Sequence, residues 1–171
     1  NYGKTLGVQY LTVYAFSTEN WKRSEEEVGA IMRLLGNYLQ EALRDMEKNH
    51  VRFKFFGDLS RLSPNLQKLC IEAEQTSAAY HDVQVNFCLN YGGRDEITRA
   101  MRKIAAKVAE GSLKPEDITE EVIENHLDTA TIPDPDLLIR TSGEQRLSNY
   151  LPWQLAYTEF YFTDVLWPDF D

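Results

Sequence analysis

Residues 51–94 read VRFKFFGDLSRLSPNLQKLCIEAEQTSAAYHDVQVNFCLNYGGR, and their pattern is the strongest indication of the fold. Its opening VRFKFF is aromatic and β-branched, which predicts a strand. Ser63 and the proline after it supply the N-cap and first turn of a helix that we expect to reach about Tyr80. VQVNFCLN (83–90) predicts the next strand, and the glycines of NYGGR end it. A strand, a helix and a strand in this order favour a parallel pair.

The same alternation continues on both sides of this stretch. GVQYLTVYAF predicts a strand over Val8–Phe16, and Ser24 with Glu27 has the spacing of a capping box. We expect the helix from Ser24 to about Lys48 to bury one apolar face. That face consists of Val28, Ile31, Met32, Leu35, Leu39, Ala42, Leu43 and Met46. The pattern then predicts helices up to Gly111 and over 119–127, and strands at 136–140 and 159–165.

The order of elements predicts a single α/β domain over residues 1–171, with a largely parallel sheet flanked by helices. The alternation of Val83, Val85, Phe87 and Leu89 with polar residues is typical of a half-exposed strand. Because helices closely flank this strand in the sequence, we favour a sheet covered on both faces.

Composition excludes several classes of protein. The 171 residues are 43% hydrophobic and 26% charged, which is typical of a soluble globular chain. A net charge of −9 disfavours nucleic acid as a partner. No apolar run approaches the roughly 20 residues of a membrane span. Cys70 and Cys88 lie in apolar segments without metal spacing, so we expect buried, reduced thiols and a cytoplasmic location.

Ligands of open parallel sheets bind beyond the carboxyl ends of the strands. Four polar loops follow predicted strands here: FSTENWKR, FGD, NYGGR and RTSGEQRLSN. The fourth loop holds Arg140, Arg146 and Ser148, whose guanidinium and hydroxyl groups suit a phosphate. Arg23 and Arg94 lie in two of the other loops, so several arginines are expected to meet at one edge. A solvated loop with a surface ion pair is the alternative.

The first loop combines a hydroxyl, a carboxylate, an amide, an indole and a guanidinium. By itself this pattern also fits an ordinary strand-to-helix turn. Trp21 is expected either to fill the core or to line a ligand pocket. Glu159 precedes an apolar run, so we expect a buried carboxylate that either forms a salt bridge or binds Mg²⁺ beside a diphosphate. The three histidines lack ligand spacing and are assigned no metal.

Four strings carry a resemblance to a known family: YAFSTENWKR (14–23), NYGGRDEI (90–97), DLLIRTSGEQRLSNYLPWQLAYTEFYF (136–162) and VLWPDFD (165–171). They closely resemble the cis-prenyltransferases, which include bacterial undecaprenyl diphosphate synthases and related isoprenyl transferases. The resemblance covers nearly the whole chain in order.

The resemblance implies a Mg²⁺-dependent transferase that adds isopentenyl diphosphate units to an allylic diphosphate, such as farnesyl diphosphate, with Z geometry. The product would be a long polyprenyl diphosphate, the lipid carrier of cell-wall glycan synthesis. The resemblance further implies a homodimer, an apolar tunnel for the growing chain, and peripheral membrane contact for product release.

Roles for individual residues follow from the matched motifs. Asn20 corresponds to the family's proposed proton acceptor, and Glu159 to its Mg²⁺ ligand. The resemblance implies that the other matched residues bind substrate: Ser17, Thr18, Glu19, Trp21, Arg23, Arg140, Arg146, Leu147 and Ser148.

The family's MDGNxRWA segment, which carries an aspartate that organises Mg²⁺ and the leaving group, has no counterpart among these residues. The family's first strand and its basic tail beyond WPDFD also have no counterpart among these residues. We therefore expect the 171 residues alone not to elongate chains, whereas the parent protein does. A non-catalytic scaffold subunit is the alternative, although it has no physical need for the paired arginines. A Mg²⁺-dependent phosphohydrolase is a third possibility, but the sequence offers it no activated nucleophile.

Overall fold

The computed structural model describes residues 5–170, except for the side chains of residues 45–49. The chain divides into two compact units, the first ending at Tyr91 and the second beginning at Gly92. The strands and longer helices follow one another along the chain as β1 Tyr10–Ser17, α1 Glu25–Asn49, β2 Val51–Phe56, α2 Pro64–Ser77, β3 Val83–Tyr91, α3 Gly93–Ala109, α4 Glu120–Glu124, β4 Leu137–Arg140 and β5 Glu159–Phe162.

The first unit contains a parallel sheet with strand order β1-β3-β2. The two strands predicted in residues 51–94 pair with each other, and β1 pairs on the other side of β3. Each crossover between parallel strands contains one helix, as parallel pairing requires. The parallel arrangement predicted from the alternating elements is therefore confirmed.

The core of this unit lies between the sheet and its helices. Aromatic side chains of the strands pack there, with the ring centroids of Phe55 and Phe87 5.6 Å apart. Leu39 is the fully buried member of the predicted α1 face, and the other described members pack partly buried against the same core. Met46 belongs to the predicted face but lies outside the described side chains.

Strand β3 is covered on both faces, as the sequence favoured. From Asn86 to Tyr91 every residue is buried, including the polar ones. Asn86 stays satisfied because its amide donates to Thr12 Oγ1 at 3.0 Å and accepts from Gln84 Nε2 at 2.7 Å. The alternation that suggested a half-exposed strand therefore reflects a buried ladder of amides.

The second unit contains a separate parallel sheet of two strands, β4 and β5. The sequence predicted one sheet, whereas the described strands form two. Helix α4 begins within one residue of the predicted start, and Thr119 caps it because its Oγ1 accepts from the backbone N–H of Val122. It ends at Glu124, before the predicted limit at residue 127.

Two further predictions can be compared with the structure. Cys70 and Cys88 are both buried and neither forms a disulfide, as predicted. Among the described residues, no helix has both the length and the apolar character needed to span a membrane.

Candidate functional site

The first predicted site loop follows β1 directly. The strand ends at Ser17, and residues Thr18–Lys22 form a short 3-10 turn. The turn is held by Asn20, whose Oδ1 accepts the backbone N–H of Ser17 at 2.8 Å. Thr18 donates to the Glu19 carboxylate at 3.1 Å. Asn20, the residue predicted to accept a proton, thus also caps the turn to which it belongs.

Trp21 occupies the inner side of this turn. Its ring meets Phe16 edge-on at 5.1 Å, and the Arg61 guanidinium lies 4.8 Å from the ring centroid. The indole N–H donates to Asn90 Oδ1 at 2.6 Å. The sequence left open whether Trp21 fills the core or lines a pocket, and the structure places its partly buried ring against the core.

Arg23 ends the loop at the surface. Its guanidinium pairs with Glu27 one helical turn later at 3.6 Å, and both side chains are more than half exposed. Exposed pairs of this kind contribute little to stability, about 0.3–0.5 kcal/mol. The pairing therefore leaves the guanidinium available to an anionic ligand at small cost.

Asn90 joins the ends of all three strands of the first sheet. Its Nδ2 donates to the carbonyl oxygen of Asp58 at 2.7 Å, while its Oδ1 accepts from Trp21. Gly57 makes the close approach of the β2 loop possible, because a Cβ there would lie 2.1 Å from the carbonyl oxygen of Leu89. Sequence analysis missed Asn90, since an asparagine before two glycines is also typical of an ordinary turn.

The fourth loop follows β4 in the second unit. Arg140 Nη1 donates to Ser148 Oγ at 3.1 Å and to the backbone carbonyl of Arg146. The structure therefore brings Ser148 and the Arg146 backbone to Arg140. The Arg146 guanidinium instead forms an ion pair with Glu144. A single ligand reaching both arginines would have to compete with that exposed carboxylate.

The loop folds tightly and is anchored at both ends. Ser148 and Asn149 both adopt left-handed backbone conformations, with φ of 50° and 64°. Near the start of the loop, Gly143 donates its N–H to the carbonyl of Thr163 at 3.0 Å. A cavity of about 280 Å³ lies beside this part of the loop, lined by Gly143, Gln145, Phe162, Thr163 and Asp164.

Asn149 ties this loop to the start of helix α3. Its carbonyl accepts the N–H of Gly93 at 2.7 Å, and its Oδ1 accepts the N–H of Arg94 at 2.9 Å. Gly93 is required here, because a Cβ would lie 1.9 Å from Cδ of Pro152. Gly93 and Arg94 of the NYGGR motif are therefore hydrogen-bonded to the end of the RTSGEQRLSN loop, although 55 positions separate Arg94 from Asn149.

Glu159 does not have the predicted environment. It is the first residue of β5 and is exposed, so the expectation of a buried carboxylate is wrong. It lies at the amino end of β5, opposite Leu137, where its side chain borders an open cavity of about 490 Å³. The cavity is lined by Asp134, Pro135, Asp136, Leu137, Tyr157 and Glu159. Within the described residues, no group of three or more His, Cys, Asp or Glu is arranged to hold a metal ion.

A partly buried ionic network supports α3, and sequence analysis missed it as well. Arg99 forms a two-pronged pair with Asp128, at 2.8 and 2.6 Å, and a third bond to Asp95. The hydrogen bonds with Asp128 are the main cause of a raised Arg99 pKa, against the opposing effect of burial. The buried Glu96 carboxylate then accepts the Asp128 N–H and the Gln154 amide. This network fixes the helix that begins at Gly93.

Comparison with known proteins identifies the family. Residues 1–171 match the prenyltransferase family described as "Putative undecaprenyl diphosphate synthase". The chain is 52% identical over 165 residues to an isoprenyl transferase of Rhizobium meliloti (strain 1021). It is 48% identical to a farnesyl-diphosphate-specific ditrans,polycis-undecaprenyl-diphosphate synthase of Vibrio vulnificus (strain YJ016). These matches cover 96% of this chain and 67% and 66% of the two relatives, so the chain spans about two thirds of their length.

Solved structures agree with this assignment. A lavandulyl diphosphate synthase from Lavandula x intermedia, in complex with dimethylallyl diphosphate, has a TM-score of 0.94 at 44% identity, covering 98% of this chain and 72% of that one. A probable undecaprenyl diphosphate synthase from Campylobacter jejuni has a TM-score of 0.88 at 38% identity, covering 99% and 77%. The chain belongs to the undecaprenyl diphosphate synthase family of cis-prenyltransferases. The descriptions of these relatives give no support to the non-catalytic scaffold.

Proposed function

We propose that the protein is a transferase that condenses isopentenyl diphosphate units with an allylic diphosphate, such as farnesyl diphosphate, in Z configuration. Its product is a long polyprenyl diphosphate that serves as the lipid carrier in cell-wall glycan synthesis. The family match over the whole chain is the observation that carries the proposal. The Arg140 loop adds support, because its guanidinium and hydroxyl donors suit a diphosphate.

The fourth loop binds the isopentenyl diphosphate in this proposal. Arg140 and Ser148 already lie within hydrogen-bond distance of each other, so both can donate to one phosphate group with little rearrangement. Arg146 joins them when the diphosphate replaces Glu144 as its partner. Leu147 lies between these donors and completes the loop.

The first loop binds the allylic substrate and removes the proton. Ser17, Thr18, Glu19, Trp21 and Arg23 contact substrate. After the new bond forms, a proton must leave the isopentenyl unit. Asn20 is the proposed acceptor, and the Ser17 N–H fixes its Oδ1 while leaving that oxygen a second lone pair.

The residues present fit Mg²⁺. Proteins commonly hold this ion through one or two carboxylates together with substrate phosphates and water. The Glu159 carboxylate is exposed beside a cavity, which suits that mode of binding. When bound, Mg²⁺ supplies positive charge that stabilises the diphosphate leaving group. Glu159 is the residue of this chain that we propose as its ligand.

The remaining features of the proposal concern assembly and location. We assign the protein to the cytoplasm, because its two cysteines are buried and neither forms a disulfide. It acts as a homodimer and contacts the membrane peripherally when it releases product. The apolar face of α1 contributes to a tunnel that holds the growing chain.

An incorporation assay tests the proposal. The full-length protein is incubated with radiolabelled isopentenyl diphosphate, farnesyl diphosphate and Mg²⁺, and label in butanol-extractable polyprenyl diphosphate is counted. We expect incorporation that EDTA abolishes and excess Mg²⁺ restores. Absence of extractable label from folded protein, over a range of allylic primers, would contradict the proposal.

A further inference from the structure

Asn90, near the end of β3, has an unusual environment for a residue beside a glycine-rich turn. It is 1% exposed, yet it lies where the loops after β1, β2 and β3 meet. One end of its amide accepts from the loop after β1, through Trp21, and the other donates to the loop after β2, through Asp58. The N–H of Asp58 also donates to the Asn90 carbonyl at 3.3 Å.

The identity of this residue is tightly constrained. The contacts require a donor and an acceptor on one short side chain, which an amide supplies and a carboxylate does not. The backbone is left-handed, with φ of 46°, a conformation that asparagine tolerates better than most residues. Asparagine therefore meets the side-chain and the backbone requirements together.

The contact with Trp21 fixes the first site loop. Phe16 and Arg61 flank the indole ring, and the bond to Asn90 sets its rotation within that space. Asn20 and Trp21 are neighbours in one short 3-10 turn, so the orientation of the ring restrains the backbone that carries Asn20. A misplacement of about 1 Å at a reacting group can reduce the rate by about 10²-fold.

We propose that Asn90 is a positioning residue: through the Trp21 indole it holds the Thr18–Lys22 turn, and with it Asn20, in the geometry needed for chain elongation. This inference rests on the proposed function. It makes Asn90 a participant that acts through another residue and does not itself contact the substrate.

Asn86 provides a matched control on the same strand. It is also a fully buried asparagine with two amide bonds, one to Thr12 and one to Gln84. It lies four residues before Asn90, roughly 13 Å at about 3.3 Å per residue, and therefore away from the site loops. Replacing either residue with glycine removes the same atoms, and glycine also tolerates the left-handed backbone at position 90.

The kinetic test uses the full-length protein. We expect Asn90→Gly to lower kcat by about 10²-fold. Asn86→Gly should lose a similar amount of thermal stability as Asn90→Gly but keep kcat near wild type. Trp21→Phe keeps an aromatic ring but removes the N–H donor, and it should also lower kcat. Both changes break the bond between Trp21 and Asn90, and Asn90→Gly also removes the bond to Asp58, so the loss in the double variant should be smaller than the product of the two single losses. Multiplicative losses, or equal kcat values for the two glycine variants, would overturn the proposal.

A spectroscopic test separates this inference from the proposed function. The indole N–H resonance of Trp21 is assigned by its disappearance in Trp21→Phe. Asn90→Gly should shift this resonance and speed its exchange with solvent, and Asn86→Gly should not. An unchanged resonance would overturn the inference even in an active enzyme, whereas a wild-type protein without turnover would instead contradict the proposed function. If Asn90→Gly does not fold, an unchanged kcat in Trp21→Phe overturns the inference.

Discussion

Arg140 and Ser148 are hydrogen-bonded to each other at 3.1 Å, although eight residues separate them in a loop without regular secondary structure. The same guanidinium nitrogen donates to the carbonyl of Arg146. One arginine thus closes the loop onto itself. Two of the phosphate-binding groups predicted from the sequence, the Arg140 guanidinium and the Ser148 hydroxyl, are thus held together, which lowers the entropy cost of binding a ligand to both.

Removing either arginine should weaken the binding of isopentenyl diphosphate. We expect Arg140→Ala and Arg146→Ala each to cost about 1.5–3 kcal/mol, the range for hydrogen bonds to charged groups. Isothermal titration calorimetry with the full-length protein measures the loss. Arg102→Ala, an exposed position on α3, is the control and should bind as wild type does. Wild-type affinity in both loop variants would show that the diphosphate binds elsewhere.

Neutralising Glu159 should raise the Mg²⁺ requirement. Glu159→Gln keeps the shape of the side chain but removes the charge that a hard cation needs. The Mg²⁺ concentration for half-maximal activity should rise at least about tenfold, as measured by titration of the incorporation assay. Asp136→Asn, which lines the same cavity, should titrate as wild type does. Superimposable curves for Glu159→Gln and wild type would exclude Glu159 as the ligand.

A larger side chain on the inner face of α1 should shorten the product. Ala42 is partly buried against the core. If this face lines the tunnel, Ala42→Leu leaves less room for the hydrocarbon, and chromatography of the polyprenols should show shorter chains. Gln40→Leu, on the exposed face, is the control. Identical length distributions in both variants would make this face ordinary core.

Two glycine substitutions should have opposite effects on stability. Gly93→Ala places a Cβ 1.9 Å from Pro152 and 3.1 Å from the Asn149 carbonyl, so we expect a loss of about 1–3 kcal/mol or more. Gly36 lies within α1, where an added Cβ would meet no atom within 4 Å apart from the adjacent backbone of its own helix. Gly36→Ala should therefore raise the free energy of unfolding by about 0.5–1 kcal/mol. Urea unfolding measures both. A stabilised Gly93→Ala would show that Pro152 moves aside freely.

The Cys70 thiol should make the protein sensitive to alkali. Burial, aided by the negative charge of Glu74, raises the pKa of this thiol from 9.0 to about 12. The folded state therefore keeps a proton that the unfolded state loses. The contribution to stability is complete below about pH 9 and declines by roughly 1.4 kcal/mol per pH unit as the pH rises towards 12.

Comparison with Cys70→Ala isolates that effect. Free energies of unfolding in urea are measured for both proteins between pH 8 and pH 10.5. Above pH 9 the wild type should lose stability more steeply than the variant, whose own cavity cost is independent of pH. Parallel curves would contradict a buried thiol that stays protonated.

The fold was largely predictable because its signals are local. The strand at 51–56 and the cap at Ser63 depend on residues within a few positions, and the structure confirms them. The length of α4 was not predictable in this way. Helix ends depend on tertiary packing as well as on the pattern of apolar residues.

The candidate site was only partly predictable. The Arg140 loop could be identified because arginines at the end of an apolar strand are conspicuous in an acidic chain. No local pattern indicated that Asn90 bonds to Trp21, or that Asn149 anchors Arg94, since 69 and 55 positions separate these partners along the chain. The sequence analysis also wrongly predicted that Glu159 is buried. An apolar run beside a carboxylate does not reveal whether neighbouring strands cover that carboxylate.

The order of the elements, the parallel pairing of strands, the reduced cysteines and the family were all predictable from the residues alone. These properties follow from hydrophobic periodicity, capping residues and motifs, all of which act over short distances along the chain. The division of the strands into two sheets, the exposure of Glu159 and the contacts of Asn90 with three loops became visible only in the folded chain. Such contacts depend on the mutual packing of distant segments, because a buried amide chooses its partners only after the strands that carry them have come together.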